Sequence, residues 1–177
     1  MQTLILGGAR SGKSHHAEQL ANASGLRVTY IATAQALDDE MHARIIQHQQ
    51  SRPAHWRTIE SPIQLAAALR AHDASDTCLL VDCLTLWLTN LMLADDPNVL
   101  ASETQALWDT LPQLHARLIF VANEVGLGIV PDNPLARRFR DEAGRLNQRL
   151  AAQCDHVLFI AAGLPLSLKS PPTPPSH

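Results

Sequence analysis

A glycine-rich segment near the amino terminus has the residue types and spacing of a phosphate-binding loop. Residues 7–14 fit the pattern Gly-x-x-x-x-Gly-Lys-Ser/Thr. In such a loop the backbone amides surround the phosphates, the lysine reaches the β- and γ-phosphates, and the last hydroxyl coordinates magnesium. We therefore expect Lys13 to be catalytic and Ser14 to bind Mg²⁺. The predicted phosphate-binding residues are Gly7, Gly8, Ala9, Arg10, Ser11, Gly12, Lys13 and Ser14.

The sequence on either side of this segment argues against a chance match in a glycine-rich turn. Residues 2–6 predict a short buried strand, and residues 13–23 predict an alanine-rich helix whose N-terminus adds partial positive charge to the anion site. The chain contains only two lysines, Lys13 and Lys169, and one of them stands where phosphate chemistry requires it.

An acidic side chain is expected to join Ser14 at the metal. Residues 77–82 form an apolar run that ends in Asp82, and a carboxylate at such a strand end acts on magnesium directly or through water. The alternative is that Asp82 caps the helix predicted from Leu84. The two roles are compatible, and the metal role is favoured.

Other charged and polar residues allow more than one interpretation. The loop 123–131 contains two glycines and follows an apolar strand, so we expect it to face the site. On a helix predicted over 38–50, Glu40, Arg44 and His48 share one face, and a histidine there is usually only solvated. The last long helix is predicted over 134–153, and its arginines either form a solvated face or bind phosphates. These arginines are Arg137, Arg138, Arg140, Arg145 and Arg149.

Strands and helices alternate along the whole chain. This pattern predicts an α/β fold of the P-loop NTPase type, with a mostly parallel sheet and helices on both faces. The last strand is predicted at 156–160, and a helix at 84–93 is apolar enough to be buried in the domain or at a subunit contact. We expect one domain over 1–169 and a disordered Pro- and Ser-rich tail over 170–177.

Composition narrows the functional class. A formal net charge of -3 argues against a nucleic-acid-binding protein, which usually has a basic face. The three cysteines form no C-x-x-C pair and are expected to be reduced and buried. With no signal peptide ahead of the phosphate loop and no apolar run long enough to cross a bilayer, we expect a soluble cytoplasmic protein.

These residues predict an enzyme or switch that binds a nucleoside triphosphate with magnesium. A regulatory GTPase is disfavoured, because its Asn-Lys-x-Asp guanine motif needs a lysine and neither lysine stands in one. A small-molecule kinase with a single activity and a nucleotide-binding regulator without chemistry remain alternatives.

Motifs spread over nearly the whole chain resemble those of one family. They are the phosphate loop, residues 30–34, Asp39-Glu40-Met41 with Arg44-Ile45 and His48, Arg52-Pro53 with residues 56–58, the loop 123–131, and residues 139–141 with 144–148. Together they resemble the bifunctional adenosylcobinamide kinase / adenosylcobinamide-phosphate guanylyltransferase family. The loop 123–131 and the helix that carries His48 make the resemblance specific.

The resemblance implies two reactions in cobalamin nucleotide-loop assembly, with Mg²⁺, ATP and GTP. A triphosphate phosphorylates the aminopropanol hydroxyl of adenosylcobinamide. GTP then guanylylates a histidine, and the GMP passes to adenosylcobinamide phosphate. The family pattern places this histidine four residues after Arg44, at His48; His55 is a less favoured candidate, and His42 points elsewhere.

The resemblance also implies the remaining site residues and the assembly. The guanine nucleotide site would include Ala32, Thr33, Ala34, Gln49, Gln50, Ser51, Arg52, Glu60 and Asp82. A homo-oligomer, specifically a trimer, is expected, whereas nucleic acid and stable membrane insertion are not.

Overall fold

A seven-stranded sheet forms the centre of the molecule. The computed structural model describes residues 1–35 and 53–170, in which the strand order is β3-β2-β4-β5-β1-β6-β7. The first six strands of the chain run parallel, and β7 pairs antiparallel with β6. The strands are β1 Gln2–Gly7, β2 Arg27–Ala32, β3 Arg57–Glu60, β4 Thr77–Asp82, β5 Arg117–Asn123, β6 His156–Ala161 and β7 Leu164–Lys169.

Five α-helices accompany the sheet in the described part of the chain. They are α1 Lys13–Asn22, α2 Leu65–Ala71, α3 Leu84–Met92, α4 Val99–Thr110 and α5 Pro134–Gln153. A 3₁₀ turn over Leu111–Gln113 follows α4. Asn133 caps α5 by accepting a hydrogen bond from the Ala136 amide at 2.7 Å. The helix predicted over 38–50 and the tail 171–177 lie outside the described residues.

The sheet is covered on both faces, as the alternating pattern predicts. Successive residues of a strand point to opposite sides, so Leu4 and Leu6 join one buried cluster and Ile5 joins the other. Helices α2 to α5 contribute to the first cluster, and Ala17 and Ala21 of α1 contribute to the second. The mostly parallel, two-faced α/β architecture is therefore confirmed.

The apolar helix predicted at 84–93 is buried within the chain itself. Leu84, Trp87, Leu88 and Leu91 of α3 lie in the larger core cluster, and the Trp87 indole donates a hydrogen bond to the Ile63 carbonyl at 2.7 Å. Internal packing therefore accounts for most of the apolar surface of this helix. The three cysteines are free and buried, as predicted.

The prediction that the strand at 156–160 is the last one is wrong. After β6 the chain reverses at Ala162 and Gly163, which have φ of 53° and 79°, and returns as β7. A proline is tolerated in β7 because the strand lies at the sheet edge. Leu164, Leu166 and Leu168 alternate along β7 but are all exposed, so no buried apolar run marks this strand.

No helix within residues 1–35 and 53–170 has the length and apolar character that a membrane span requires.

Candidate functional site

The loop between β1 and α1 has the backbone conformation that an anion site needs. Arg10 and Gly12 have positive φ of 55° and 95°, so the chain turns back over itself before α1 begins. No side chain caps α1 at Gly12, which leaves the first amides of the helix available to a phosphate. The Ser11 amide closes the turn by donating to the Gly8 carbonyl at 3.3 Å.

Two glycines in this loop are required by close neighbours. A Cβ at Gly7 would lie 2.6 Å from both the Ile160 carbonyl oxygen and the Ser11 hydroxyl. A Cβ at Gly12 would lie 3.2 Å from the Cα of Gly163 in the β6–β7 turn. The Gly163 amide also donates to the Ser11 carbonyl at 2.9 Å, so the hairpin that sequence analysis missed supports the phosphate loop.

Lys13 lies inside this loop, close to the predicted metal acid. Its side chain is only 8% exposed, and its ammonium donates to the Gly8 carbonyl at 3.0 Å. Burial lowers the pKa of Lys13 below the usual lysine value, while the neighbouring Cys83 and Asp82 side chains act in the opposite direction. The loop lysine and Asp82 are therefore electrostatic neighbours, although Lys13 begins α1 and Asp82 ends β4.

Cys83 is not a candidate nucleophile. Burial, followed by the charge of Asp82, raises the pKa of this thiol to about 11. It therefore remains a neutral thiol near pH 7, whereas the reactive species of cysteine is the thiolate.

Register brings the other predicted residues to the same edge of the sheet. Ala32 pairs with Glu60 on one side and with Asp82 on the other, so three adjacent strands end level. Across the sheet, Gly7 pairs with Asn123. Glu60 is exposed, and Ser14, Ala34 and Asp82 are partly buried. His48, Gln49, Gln50, Ser51 and Arg52 lie outside the described residues.

The side chain of Thr33 is used inside the protein. Its buried hydroxyl donates to the Cys83 carbonyl at 2.7 Å and accepts from the Cys83 amide at 2.9 Å. The Thr33 carbonyl accepts from the Asn90 side-chain amide at 2.8 Å. Thr33 therefore ties the end of β2 to the residue after Asp82, and its nucleotide contact stays a prediction.

Replacing Thr33 by Val is expected to lower the free energy of unfolding by about 1–3 kcal/mol, because the buried Cys83 amide loses its partner and the Cys83 carbonyl keeps only the Trp87 amide, at 3.2 Å. Urea unfolding monitored by circular dichroism measures this loss. Thr33→Ser keeps the hydroxyl and is the matched control. Equal stability of the Val and Ser variants would contradict the role of the hydroxyl.

Asn123 is a site residue whose role the sequence did not reveal. It ends β5 between the strands of Asp82 and Gly7, and its Oδ1 is buried without a partner among the described residues. The backbone amide of Asn123 donates to the Thr85 hydroxyl at 2.7 Å, which fixes the backbone at the end of β5. A polar residue at the end of an apolar strand, the same signal as at Asp82, identifies it in retrospect.

The unpartnered atoms fit a phosphate accompanied by a hydrated cation. The Ser11 hydroxyl is, like Asn123 Oδ1, buried and unpaired within the described part of the chain. Ser14 and Asp82 supply the hard oxygen donors that Mg²⁺ prefers, and phosphates and waters normally complete its coordination. The residues present therefore fit the predicted magnesium ion.

The loop 124–133 begins directly beside the phosphate loop. The Glu124 amide donates to the Gly7 carbonyl at 3.0 Å, and the Glu124 carboxylate accepts from the Gly126 amide at 2.6 Å. At the other end of the loop, the Arg137 guanidinium donates to the carbonyls of Pro131 and Asp132 at 2.9 and 2.7 Å. The loop therefore lies at the predicted edge and is held at both ends.

Most arginines of α5 have local partners. Arg145 pairs with Glu142 at 2.6 Å, and Arg140 lies 3.6 Å from Asp141. The Arg149 guanidinium lies 4.4 Å from the centre of the Trp108 ring. These contacts favour the interpretation of this helix as a solvated, internally paired face.

The sequence is similar to proteins of one known family along nearly its whole length. The family model for cobinamide kinase / cobinamide phosphate guanyltransferase matches residues 3–168. The chain is 59% identical over 172 residues to the bifunctional adenosylcobalamin biosynthesis protein CobP of Pseudomonas aeruginosa, covering 97% of this chain and 99% of that protein. It is 46% identical over 182 residues to the bifunctional adenosylcobalamin biosynthesis protein CobU of Salmonella typhimurium, covering 96% and 100%.

Solved structures support the fold. An ATPase from the type III secretion system of pathogenic bacteria superposes with a TM-score of 0.56 at 13% identity, covering 94% of this chain and 57% of that one. The P-loop NTPase fold predicted from the sequence is confirmed.

Proposed function

Because the chain belongs to the cobinamide kinase / cobinamide phosphate guanyltransferase family, we propose that one phosphate site serves both reactions of this bifunctional enzyme of cobalamin biosynthesis. In the guanylyl transfer, His48 carries the guanylyl group as a guanylyl-histidine. The observation that carries the proposal is the convergence of Lys13, Asp82 and the uncapped start of α1 at one sheet edge. Gln35 lies three residues beyond the end of β2 at this edge and 13 residues before His48 in the sequence.

In the kinase reaction, the aminopropanol hydroxyl of adenosylcobinamide attacks the γ-phosphorus of the triphosphate. A new phosphorus–oxygen bond forms, and the bond to the β-phosphate oxygen breaks, releasing a nucleoside diphosphate. Lys13 and the loop amides stabilise the charge on the transferring group. Ser14 and Asp82 would hold Mg²⁺, which would supply positive charge to the triphosphate.

In the guanylyl reaction, an imidazole nitrogen of His48 attacks the α-phosphorus of GTP and pyrophosphate leaves. The phosphate of adenosylcobinamide phosphate then attacks the same phosphorus, and the imidazole departs. Neutral imidazole is a good nucleophile near pH 7 and a good leaving group once phosphorylated. The predicted nucleotide contacts of Ala32, Ala34, Glu60 and residues 49–52 belong to this step.

Three further features belong to the proposal. The substrates are the adenosyl forms of cobinamide and its phosphate, the enzyme acts in the cytoplasm, and it works as a homo-oligomer, with a trimer as the expected state. The resemblance described above supports the substrates and the assembly.

Mass spectrometry of the protein after exposure to GTP tests the covalent step. We expect a mass gain of one GMP that is acid-labile and base-stable. Trypsin releases residues 45–57 as one peptide, because Pro53 blocks cleavage after Arg52. This peptide contains both His48 and His55, so fragmentation within it must place the GMP on His48.

Exposure to ATP in place of GTP is the control, and it should leave no nucleotidyl adduct. If no adduct formed under conditions where cobinamide is phosphorylated, the guanylyl-histidine would be excluded. An adduct on His55 would move the nucleophile to that residue.

A further inference from the structure

The loop between β5 and α5 exposes large apolar side chains to solvent. Ile129 is 97% exposed, Leu127 is 82% exposed and Val130 is 57% exposed. Leu135, at the start of α5, is exposed as well. Single exposed apolar residues are ordinary, but a contiguous group on one loop marks a binding surface.

The loop that carries these exposed residues is anchored at both ends. The hydrogen bonds of Glu124 fix its first residues, and those of Arg137 fix Pro131 and Asp132. Between these anchors, none of the hydrogen bonds of the described chain involves residues 127–130. The loop therefore presents apolar side chains together with free backbone donors and acceptors.

The apolar group lies near the phosphate-transfer edge. The Glu124 amide is bonded to the Gly7 carbonyl, and Ile129 is five residues further along the chain. At about 3.5 Å per residue, Ile129 lies within roughly 18 Å of the phosphate loop.

The acceptor substrate has the chemistry that this surface would recognise. In cobinamide the reacting hydroxyl is at the end of a short flexible arm, whereas most of the molecule is a flat corrin ring. This ring is rimmed by methyl groups and primary amides. The arm can enter the phosphate cradle only if the ring stays outside it, at the rim. Methyl groups match the apolar side chains, and amides match unpaired backbone groups.

We propose that Leu127, Ile129 and Val130 form the surface on which the corrin ring of cobinamide rests in both reactions, with Leu135 at its border. The inference builds on the proposed function and adds the residues that bind the acceptor. The phosphates and ribose of a nucleotide do not match this surface, because they are polar.

Ile129→Ser tests the surface. Because Ile129 is almost fully exposed, the variant is expected to fold normally. Losing its contact should raise the KM for cobinamide about tenfold, with the KM for the nucleotide and kcat unchanged. Leu93→Ser is the matched control, because Leu93 is 59% exposed just beyond the C-terminal end of α3, the end remote from the phosphate edge.

Binding is measured in parallel by equilibrium dialysis of cobinamide, followed by its visible absorbance, with a non-hydrolysable triphosphate present. We expect about tenfold weaker binding by Ile129→Ser and wild-type binding by Leu93→Ser. Wild-type affinity in the Ile129 variant would overturn the inference, whether or not turnover is observed. A change in sedimentation coefficient together with weaker binding would also overturn it, because the loop would then be a contact between copies of the chain.

These outcomes separate the inference from the proposed function. If the wild-type protein forms the GMP adduct while Ile129→Ser binds cobinamide normally, only the corrin surface fails. If the adduct is absent while Ile129→Ser binds cobinamide weakly, the covalent step fails and the corrin surface stands.

Discussion

Lys13→Ala lowers kcat for cobinamide phosphorylation by about a thousandfold, the largest effect expected from a single substitution in the described site. The ammonium is held within the phosphate loop by the Gly8 carbonyl, so it is already in place when a triphosphate arrives. Without the ammonium, only the loop amides and the metal would stabilise the charge on the transferring phosphoryl group. Steady-state kinetics with cobinamide and ATP measure the loss, and guanylyl transfer from GTP is expected to fall as well.

The chain provides a matched control for this experiment in its only other lysine. The ammonium of Lys169 donates to the carbonyls of Ala151 and Ala152 at 3.0 and 2.9 Å, near the end of α5. Lys169→Ala is therefore expected to cost about 0.3–1 kcal/mol of stability and no activity. Wild-type rates of both reactions in Lys13→Ala would contradict the role of the phosphate loop.

His48→Ala separates the two activities. It is expected to lower guanylyl transfer about 10⁴-fold, because the nucleophile is lost, while phosphorylation of cobinamide by ATP continues. Release of pyrophosphate from GTP in the presence of adenosylcobinamide phosphate measures the first activity. A coupled assay for ADP measures the second.

His42→Ala and His55→Ala are the controls for the histidine, since both leave His48 intact. Each is expected to retain the two activities. If guanylyl transfer survived in His48→Ala and disappeared in His55→Ala, the nucleophile would be His55. Equal loss of both activities in His48→Ala would point to a structural role for this residue.

The parallel part of the sheet was predictable from local patterns. Each of its buried strands is an apolar run, and each connects to the next through a segment with helical signals. The end strand β7 carries no such pattern, because all of its residues are exposed and its pairing depends on β6 alone.

The residues at the site could be predicted from the sequence where they follow from one rule: parallel strands end at the same edge of the sheet. This rule brings Glu60, Ala32 and Asp82 level from three separate segments. The pairing of Thr33 with Cys83, fifty residues away in sequence, has no local pattern. The buried Oδ1 of Asn123 could likewise be found only in the folded chain, since its lack of a partner depends on its neighbours.

The support of the phosphate loop by the β6–β7 turn has a consequence for biosynthesis on the ribosome. Strand β1 is made first, but the strands with which it pairs, β5 and β6, are made much later. The hydrogen bond that the Ser11 carbonyl accepts likewise requires the Gly163 amide. In a nascent chain the phosphate loop therefore lacks its full support until the β6–β7 turn has been made.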